Sequence, residues 1–186
     1  MASLEDLPIR DDLRGRKPYG APQLNVPVSF NVNENTHRIP EEVAIDVVGA
    51  IAASLIDINR YPDRECLELR AALAKYLGDG LRQENLWAAN GSNEVLLQVF
   101  QAFGGPNRKA LGFGPTYSMY SLLALTSGTA YVDAKRAERF ELTPELVVQA
   151  IEKEKPAIVL LCSPNNPTGT PLSLSAIEAA YEATDG

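Results

Sequence analysis

The chain has 186 residues, of which 45% are hydrophobic and 22% charged, and its formal net charge is -7 at pH 7. These values are ordinary for a soluble globular protein with a sizeable core, and the acidic balance argues against a nucleic-acid-binding surface. No window approaches the roughly 18 apolar residues of a membrane span, and the amino-terminal sequence MASLEDLPIRDDLRGRK lacks the apolar core of a secretory signal.

The first 40 residues are rich in proline and contain the polar cluster NVNENTH at 31–37, which predicts a loop-rich arm. Apolar residues at helical spacing then predict a helix over 41–57. The sequence RYPDRE at 60–65 interrupts the chain, and a second amphipathic helix is predicted to end at Gly78.

Strands and helices alternate in the rest of the chain. Strands are predicted at 86–89, 109–113, 129–133 and 157–162, and helices at 94–103, at 117–125, from Pro144 onward and at 175–183. Four strands that are each followed by a helix predict an α/β fold, a three-layer sandwich with a mostly parallel sheet. The chain stops where the alternation predicts another strand, so we expect this sheet to be incomplete.

Two of the predicted helices have recognisable starts. Thr143 followed by Pro144 is the expected order of cap and first-turn proline. Ser175 and Glu178 have the spacing of a capping box.

The two cysteines and the single histidine do not indicate a metal site. Cys66 and Cys162 have neither a metal spacing nor a disulfide framework, and their apolar contexts predict reduced thiols and a cytoplasmic location. The single histidine, His37, is interpreted as a solvated loop residue. Trp87 and Cys162 are predicted to be buried.

Three loops leave the carboxyl ends of predicted strands: NGSNE at 90–94, GPTY at 114–117 and SPNNPTG at 163–169. In an open parallel sheet, ligands bind in the crevice beyond these ends, so all three loops are expected to face one site.

The loop at 90–94 puts small and polar residues at a helix start, where free N–H groups can bind a phosphate. An ordinary N-cap on a tight turn is the alternative. Tyr117 could stack on a flat heteroaromatic ring or could be a core aromatic. In SPNNPTG, Pro164 and Pro167 restrict the backbone around Asn166, whose amide could orient a ring hydroxyl. Asparagines that simply form a turn are the alternative there.

The sequences SPNNPTG, GSNE, PTYSMY and NRYPD together resemble the fold-type I pyridoxal-phosphate aminotransferases. Within them, DDLRGRKPYGAPQ, NVNEN, INRYPD and WAANGSNE are most similar to the histidinol-phosphate aminotransferase family. The resemblance covers essentially the whole chain. It implies an amino-terminal arm with the start of a small domain in residues 1–40, and part of a pyridoxal-phosphate-binding large domain in 41–186.

The resemblance also implies a role for each matching residue. Asn166 would donate a hydrogen bond to the ring oxygen of pyridoxal 5'-phosphate, and Tyr117 would stack on its ring. Ser92 and Asn93 would hold the cofactor phosphate. Tyr61 would reach the phosphate of the partner's cofactor across the interface of a homodimer.

Tyr19 and Asn33 would lie on the substrate side. The implied reaction moves an amino group between histidinol phosphate and 2-oxoglutarate, with glutamate as the other partner, in histidine biosynthesis. These are small-molecule substrates, and neither nucleic acid nor membrane is expected as a partner.

Transamination also needs a lysine that forms the Schiff base and an acidic partner for the pyridinium nitrogen. None of the lysines lies in the family's Schiff-base context, and the carboxylate-binding arginine is missing as well. Thr36 stands where the family usually has proline. We therefore expect that this chain has no catalytic residue of its own, is inactive alone and, with an unpaired sheet edge, is poorly soluble.

Two alternatives stay open. One is another fold-type I enzyme, such as an aromatic aminotransferase or a relative of threonine-phosphate decarboxylase. The other is a non-catalytic remnant that only dimerises or binds a ligand.

Overall fold

The structure, a computed structural model, describes residues 6–17, 20, 22–29 and 31–184. Contacts divide the chain into two units, Met1–Pro62 and Asp63–Gly186. The domain boundary predicted at residue 40 stays a prediction. No helix in the described ranges is long and apolar enough to cross a membrane.

The described residues of the first unit contain one regular helix. After mostly irregular backbone with a 3-10 turn at Asp11–Leu13, helix α1 spans Glu41–Ser54 and continues into a 3-10 turn at Leu55–Asp57. Two glutamates in its first turn suit the positive end of the helix. The predicted helix over 41–57 is confirmed, and the described residues before it are mostly irregular, as expected for a loop-rich segment.

The second unit alternates helices and strands. Its elements are α2 (Leu67–Leu77), α3 (Ser92–Phe103), β1 (Lys109–Gly114), α4 (Met119–Thr126), β2 (Ala130–Lys135), α5 (Pro144–Glu154), β3 (Ile158–Val159) and α6 (Leu174–Glu182). Short 3-10 turns lie at Gln83–Asn85 and Glu138–Phe140.

The three strands form a parallel sheet in the order β2-β1-β3. Successive side chains of β1 alternate between two apolar clusters. Ala110 joins a cluster that includes Phe100 of α3 and Leu123 of α4, whereas Leu111 joins one that includes Val147 of α5. Helices therefore cover both faces of the sheet, and the predicted three-layer α/β sandwich is confirmed.

The strand predicted at 86–89 is wrong. These residues form irregular backbone, and Trp87 is 56% exposed rather than buried. Its ring N–H donates to Gln98 Oε1 of α3 at 2.5 Å. A strand requires a neighbouring strand that accepts its N–H groups, and no strand in the described part of the chain pairs with this segment.

The strand predicted at 157–162 is shorter than expected. Pairing with β1 is limited to Ile158 and Val159. Two further bonds flank this pair, from the Ala157 N–H to the Lys109 carbonyl and from the Leu160 N–H to the Leu111 carbonyl, both at 2.8 Å. Because β3 lies at an edge of the sheet, only one of its sides carries ladder bonds. Cys162 is half-buried.

The starts of α5 and α6 show which cap predictions hold. Thr143 accepts a hydrogen bond from the Leu146 N–H at 3.4 Å, so the predicted cap is confirmed. The predicted capping box at Ser175 is wrong, because α6 begins one residue earlier and Ser173 accepts the Ala176 N–H at 3.2 Å. Ser175 lies inside the first turn.

We expect Ser173→Ala to lower the free energy of unfolding by about 1 kcal/mol, because it removes the side-chain acceptor of the Ala176 N–H and leaves that N–H only the Ser173 carbonyl at 3.2 Å. Ser175→Ala is the matched control. It keeps the Ser173 cap and loses only the contact between the two hydroxyls at 3.0 Å, so it should change the free energy of unfolding by less than about 0.5 kcal/mol. Urea unfolding monitored by circular dichroism measures both. A larger loss for Ser175→Ala than for Ser173→Ala would contradict the observed cap.

Candidate functional site

Hydrogen bonds join the three loops at the carboxyl end of the sheet. The Thr116 hydroxyl, after β1, donates to Asn165 Oδ1 in the loop after β3 at 2.9 Å. The adjacent Tyr117 hydroxyl donates to Asn93 Oδ1, in the first turn of α3, at 3.0 Å. The predicted convergence of the loops at 90–94, 114–117 and 163–169 is therefore confirmed, although the loop at 90–94 follows irregular backbone and not the predicted strand.

The start of α3 leaves its first-turn N–H groups open to a ligand. Gly91 precedes the helix with φ of 81°, a left-handed conformation that favours glycine, and has no side chain that could cap. The Glu94 carboxylate turns back to accept the Asn90 N–H at 2.5 Å. Ser92 and Asn93 are exposed. This start has the features of an anion site, namely free donors and the positive end of a helix dipole.

Tyr117 is in part the core aromatic that the sequence offered as one interpretation. Its ring is half-buried, packs against the apolar cluster around Phe100 and makes an edge-to-face contact with Tyr120 at 5.5 Å between ring centroids. Its hydroxyl is directed to Asn93. The ring is thus held between the core and the start of α3, and its stacking on a cofactor stays a prediction.

Asn165 is the most completely hydrogen-bonded side chain of the site and is 2% exposed. Its Nδ2 donates to the Pro115 carbonyl at 2.9 Å and to Thr168 Oγ1 at 2.8 Å. Its Oδ1 accepts from Thr116 Oγ1 and from Arg136 Nη2, both at 2.9 Å. An amide offers two donor hydrogens and two acceptor positions, so every one of them is used.

The neighbouring asparagine is different. Asn166 is half-buried, and its side chain makes no hydrogen bond with any residue that the structure describes. The main chain of the preceding residue is fixed by two hydrogen bonds. The Asn165 N–H donates to the Thr170 carbonyl at 2.8 Å, and the Gly169 N–H donates to the Asn165 carbonyl at 2.7 Å. The Asn166 amide is therefore available to a ligand while its backbone is fixed.

The sequence left the roles of Asn165, Thr116 and Arg136 unassigned. A polar residue between two prolines, in the loop that follows the predicted buried strand, was the available signal for Asn165. Nothing in the sequence indicates that Arg136 would reach this loop, because the contact joins residues 29 positions apart.

Side chains of β2 lie over the glycines of β1 on one face of the sheet. A Cβ at Gly114 would lie 2.5 Å from Asp133 Oδ1, so any side chain there would displace the Asp133 carboxylate. Burial, together with the negative charge of Asp133, raises the pKa of Tyr131 to about 12. Tyr131 is therefore neutral and can act as a hydrogen-bond donor throughout the physiological pH range.

The structure does not test three other predicted site residues. Tyr61 and Asn33 belong to the first unit and are exposed. Tyr19 lies outside the described residues. The roles of these three stay predictions.

Two lysines are engaged away from the site. Lys109, at the start of β1, and Lys153 both pair with Glu154 at the end of α5, with N–O distances of 3.0 and 3.2 Å. This ion-pair cluster lies at the amino end of the sheet, opposite the three loops. Within the described residues no group of His, Cys, Asp and Glu side chains could hold a metal ion.

Comparison with known proteins identifies related sequences. The family described as Aminotransferase class I and II matches residues 26–185. Histidinol-phosphate aminotransferase of Paenarthrobacter aurescens is 58% identical over 180 residues, which is 97% of this chain and 48% of that protein. The same enzyme of Thermobifida fusca is 50% identical, over 99% of this chain and 50% of that protein. The chain thus spans about half the length of the curated relatives it matches.

A similar solved structure is histidinol-phosphate aminotransferase of Sinorhizobium meliloti in complex with pyridoxal-5'-phosphate, with a TM-score of 0.64. It is 23% identical in sequence, and the match covers 74% of this chain and 37% of that one. At this identity the likeness establishes the fold.

Proposed function

We propose that this chain, which belongs to the aminotransferase class I and II family, carries the pyridoxal-phosphate contacts of a histidinol-phosphate aminotransferase. The observation that carries the proposal is the hydrogen-bonded convergence of three loops, which places the open start of α3, the Tyr117 ring and the Asn166 loop at one edge of the sheet.

The residues present fit pyridoxal phosphate. A phosphate needs several N–H and O–H donors, and the uncapped start of α3 with Ser92 and Asn93 provides them. A pyridine ring needs a flat apolar surface, which the half-buried Tyr117 offers. The ring oxygen needs one donor, and Asn166 has an amide that is free of other partners among the described residues.

When bound, pyridoxal phosphate supplies the electron sink on which amino-group transfer depends. The chain itself contributes binding and orientation. Ser92 and Asn93 bind the phosphate, Tyr117 limits the tilt of the ring, and Asn166 donates to the ring oxygen. Apolar packing beneath Tyr117 excludes water from one side of the ring.

The substrates and the assembly belong to the same proposal. Histidinol phosphate with 2-oxoglutarate is favoured because the relatives at 58% and 50% identity carry that enzyme's name. We also propose that the full enzyme is a cytoplasmic homodimer, with Tyr61 contacting the partner's cofactor and with Tyr19 and Asn33 near the substrate. The resemblance of the amino-terminal segments DDLRGRKPYGAPQ, NVNEN and INRYPD to the histidinol-phosphate aminotransferase family supports these roles.

Titration of the 186-residue chain with pyridoxal phosphate tests the proposal. We expect saturable, non-covalent binding that inorganic phosphate competes away. Borohydride should give no reduced adduct at a single lysine, and histidinol phosphate with 2-oxoglutarate should yield no glutamate. The reason is that none of the chain's lysines has the Schiff-base context.

Ser92→Ala should weaken binding, because it removes one donor to the phosphate. Ser121→Ala, which alters an exposed serine of α4 that bonds only its own helix, is the matched control. Absence of saturable binding, or equal binding by the Ser92 variant, would overturn the assignment of the site. A single reduced lysine or measurable transamination would overturn the expected inactivity.

A further inference from the structure

We propose that Arg136 is a positioning residue that, through Asn165, sets the orientation in which Asn166 meets the cofactor ring. This inference rests on the proposed function, since it concerns how the ring oxygen of pyridoxal phosphate is bound. It assigns a role to a side chain that touches no part of the proposed cofactor site directly.

Arg136 is half-buried at the carboxyl end of β2 and makes three directed hydrogen bonds. Its Nε donates to the Phe113 carbonyl at 2.8 Å, and its Nη1 donates to the Phe140 carbonyl at 3.1 Å. Its Nη2 donates to Asn165 Oδ1 at 2.9 Å. The planar guanidinium presents its N–H groups in a fixed fork, so two backbone contacts fix the direction of the third.

The bond from Arg136 to Asn165 connects the end of β2 to the loop at 163–169. The other bonds from Asn165 to a neighbouring strand end go to Pro115 and Thr116, after β1. Asn165 Oδ1 accepts one hydrogen bond from Thr116, in the loop after β1, and one from Arg136, at the end of β2. Both donors bond the same atom, Asn165 Oδ1, so two contacts from beyond the ends of β1 and β2 hold one side of its amide. Donors on the other side of that amide then reach Pro115 and Thr168, so rotation of the amide would break several hydrogen bonds together.

The fixed position of Asn165 also restricts Asn166, because the two residues share a peptide bond. The main chain of Asn165 is bonded on both sides, to Thr170 and to Gly169, whereas the Asn166 side chain has no partner among the described residues. The orientation of the Asn166 amide therefore depends on the backbone that Asn165 holds. Small misplacement of a positioning group is enough to reduce binding or rate by a large factor.

The first experiment uses the protein without cofactor. Hydrogen–deuterium exchange is followed in the segment 163–172 for wild type, Arg136→Ala, Arg136→Lys and Arg108→Ala. Arg108 is an exposed arginine that donates to one backbone carbonyl, that of Phe103, and serves as the control.

We expect the Gly169 amide to exchange at least tenfold faster in Arg136→Ala, with Arg136→Lys intermediate and Arg108→Ala unchanged. Exchange of the α5 segment 147–151 should stay at the wild-type level, which separates local loosening from global unfolding. Unchanged exchange in 163–172 for Arg136→Ala would overturn the proposal.

The second experiment is a double-mutant cycle on the dissociation constant for pyridoxal phosphate. Arg136→Ala should raise the constant about tenfold in the wild-type background. In the Asn166→Ala background the same change should raise it less than about twofold, because a residue that acts through Asn166 has nothing left to position.

The outcomes separate the two proposals. Wild-type protein that does not bind pyridoxal phosphate defeats the proposed function, and the positioning role falls with it. Wild-type binding with an equal effect of Arg136→Ala in both backgrounds defeats the positioning role alone. If the wild type binds and Arg136→Ala binds equally well, the positioning role alone is again defeated.

Discussion

Asn165→Ala is expected to lower the free energy of unfolding by about 3 kcal/mol, the largest loss of stability for any single change in the site. The side chain is 2% exposed and all its donor and acceptor positions are used. Alanine would leave the Pro115 carbonyl and an N–H of the half-buried Arg136 without this partner. Each buried polar group left unpaired costs about 1–3 kcal/mol.

Urea unfolding measures this loss, and Asn166→Ala is its matched control. The two asparagines are adjacent in sequence, but only the first bonds to the described protein, so Asn166→Ala should stay within about 0.5 kcal/mol of wild type. Asn165→Asp should be nearly as harmful as alanine, because a carboxylate cannot donate to the Pro115 carbonyl or to Thr168. Equal stability of the two alanine variants would contradict the buried role of Asn165.

Asn166→Ala is expected to raise the dissociation constant for pyridoxal phosphate by about 10- to 100-fold. A hydrogen bond to a charged group contributes about 1.5–3 kcal/mol, and a tenfold change in affinity corresponds to about 1.4 kcal/mol. The amide is free of other partners among the described residues, so no internal bond has to be broken when the ligand binds. The whole contribution should therefore appear in the affinity.

Fluorescence or absorbance titration at fixed ionic strength measures the effect. Asn166→Asp should bind more weakly than Asn166→Ala, because a carboxylate repels an ionised ring oxygen. Asn59→Ala, at an exposed asparagine of the first unit, is the control and should bind as wild type does. An affinity of Asn166→Ala within twofold of wild type would remove Asn166 from the site.

Local signals in the sequence predicted most helices correctly. The apolar spacing over 41–57 corresponds to α1 and its 3-10 extension, and the Thr143–Pro144 pair is the observed start of α5. These features depend on residues within a few positions of each other, so a short stretch of sequence contains all the information. Where two adjacent candidates competed, as Ser173 and Ser175 did for α6, the same local reasoning chose the wrong one.

Strands were harder to predict, because a strand exists only with a partner. The segment 86–89 has a suitable apolar composition, yet no strand in the described ranges lies beside it, and it forms irregular backbone. The strand predicted at 157–162 is paired over two residues for the same reason. Composition predicts which residues can enter a sheet, whereas the neighbouring chain decides which of them do.

The sequence by itself determined the α/β class, the convergence of three loops on one sheet edge and the resemblance to an aminotransferase family, since these follow from periodicity, connection order and short motifs. Only the tertiary structure decided how the two asparagines divide their tasks. Asn165 is buried because Thr116 and Arg136 reach it from two other strand ends, and Asn166 is left free for a ligand. That division depends on contacts between residues far apart in the chain, which no local pattern records.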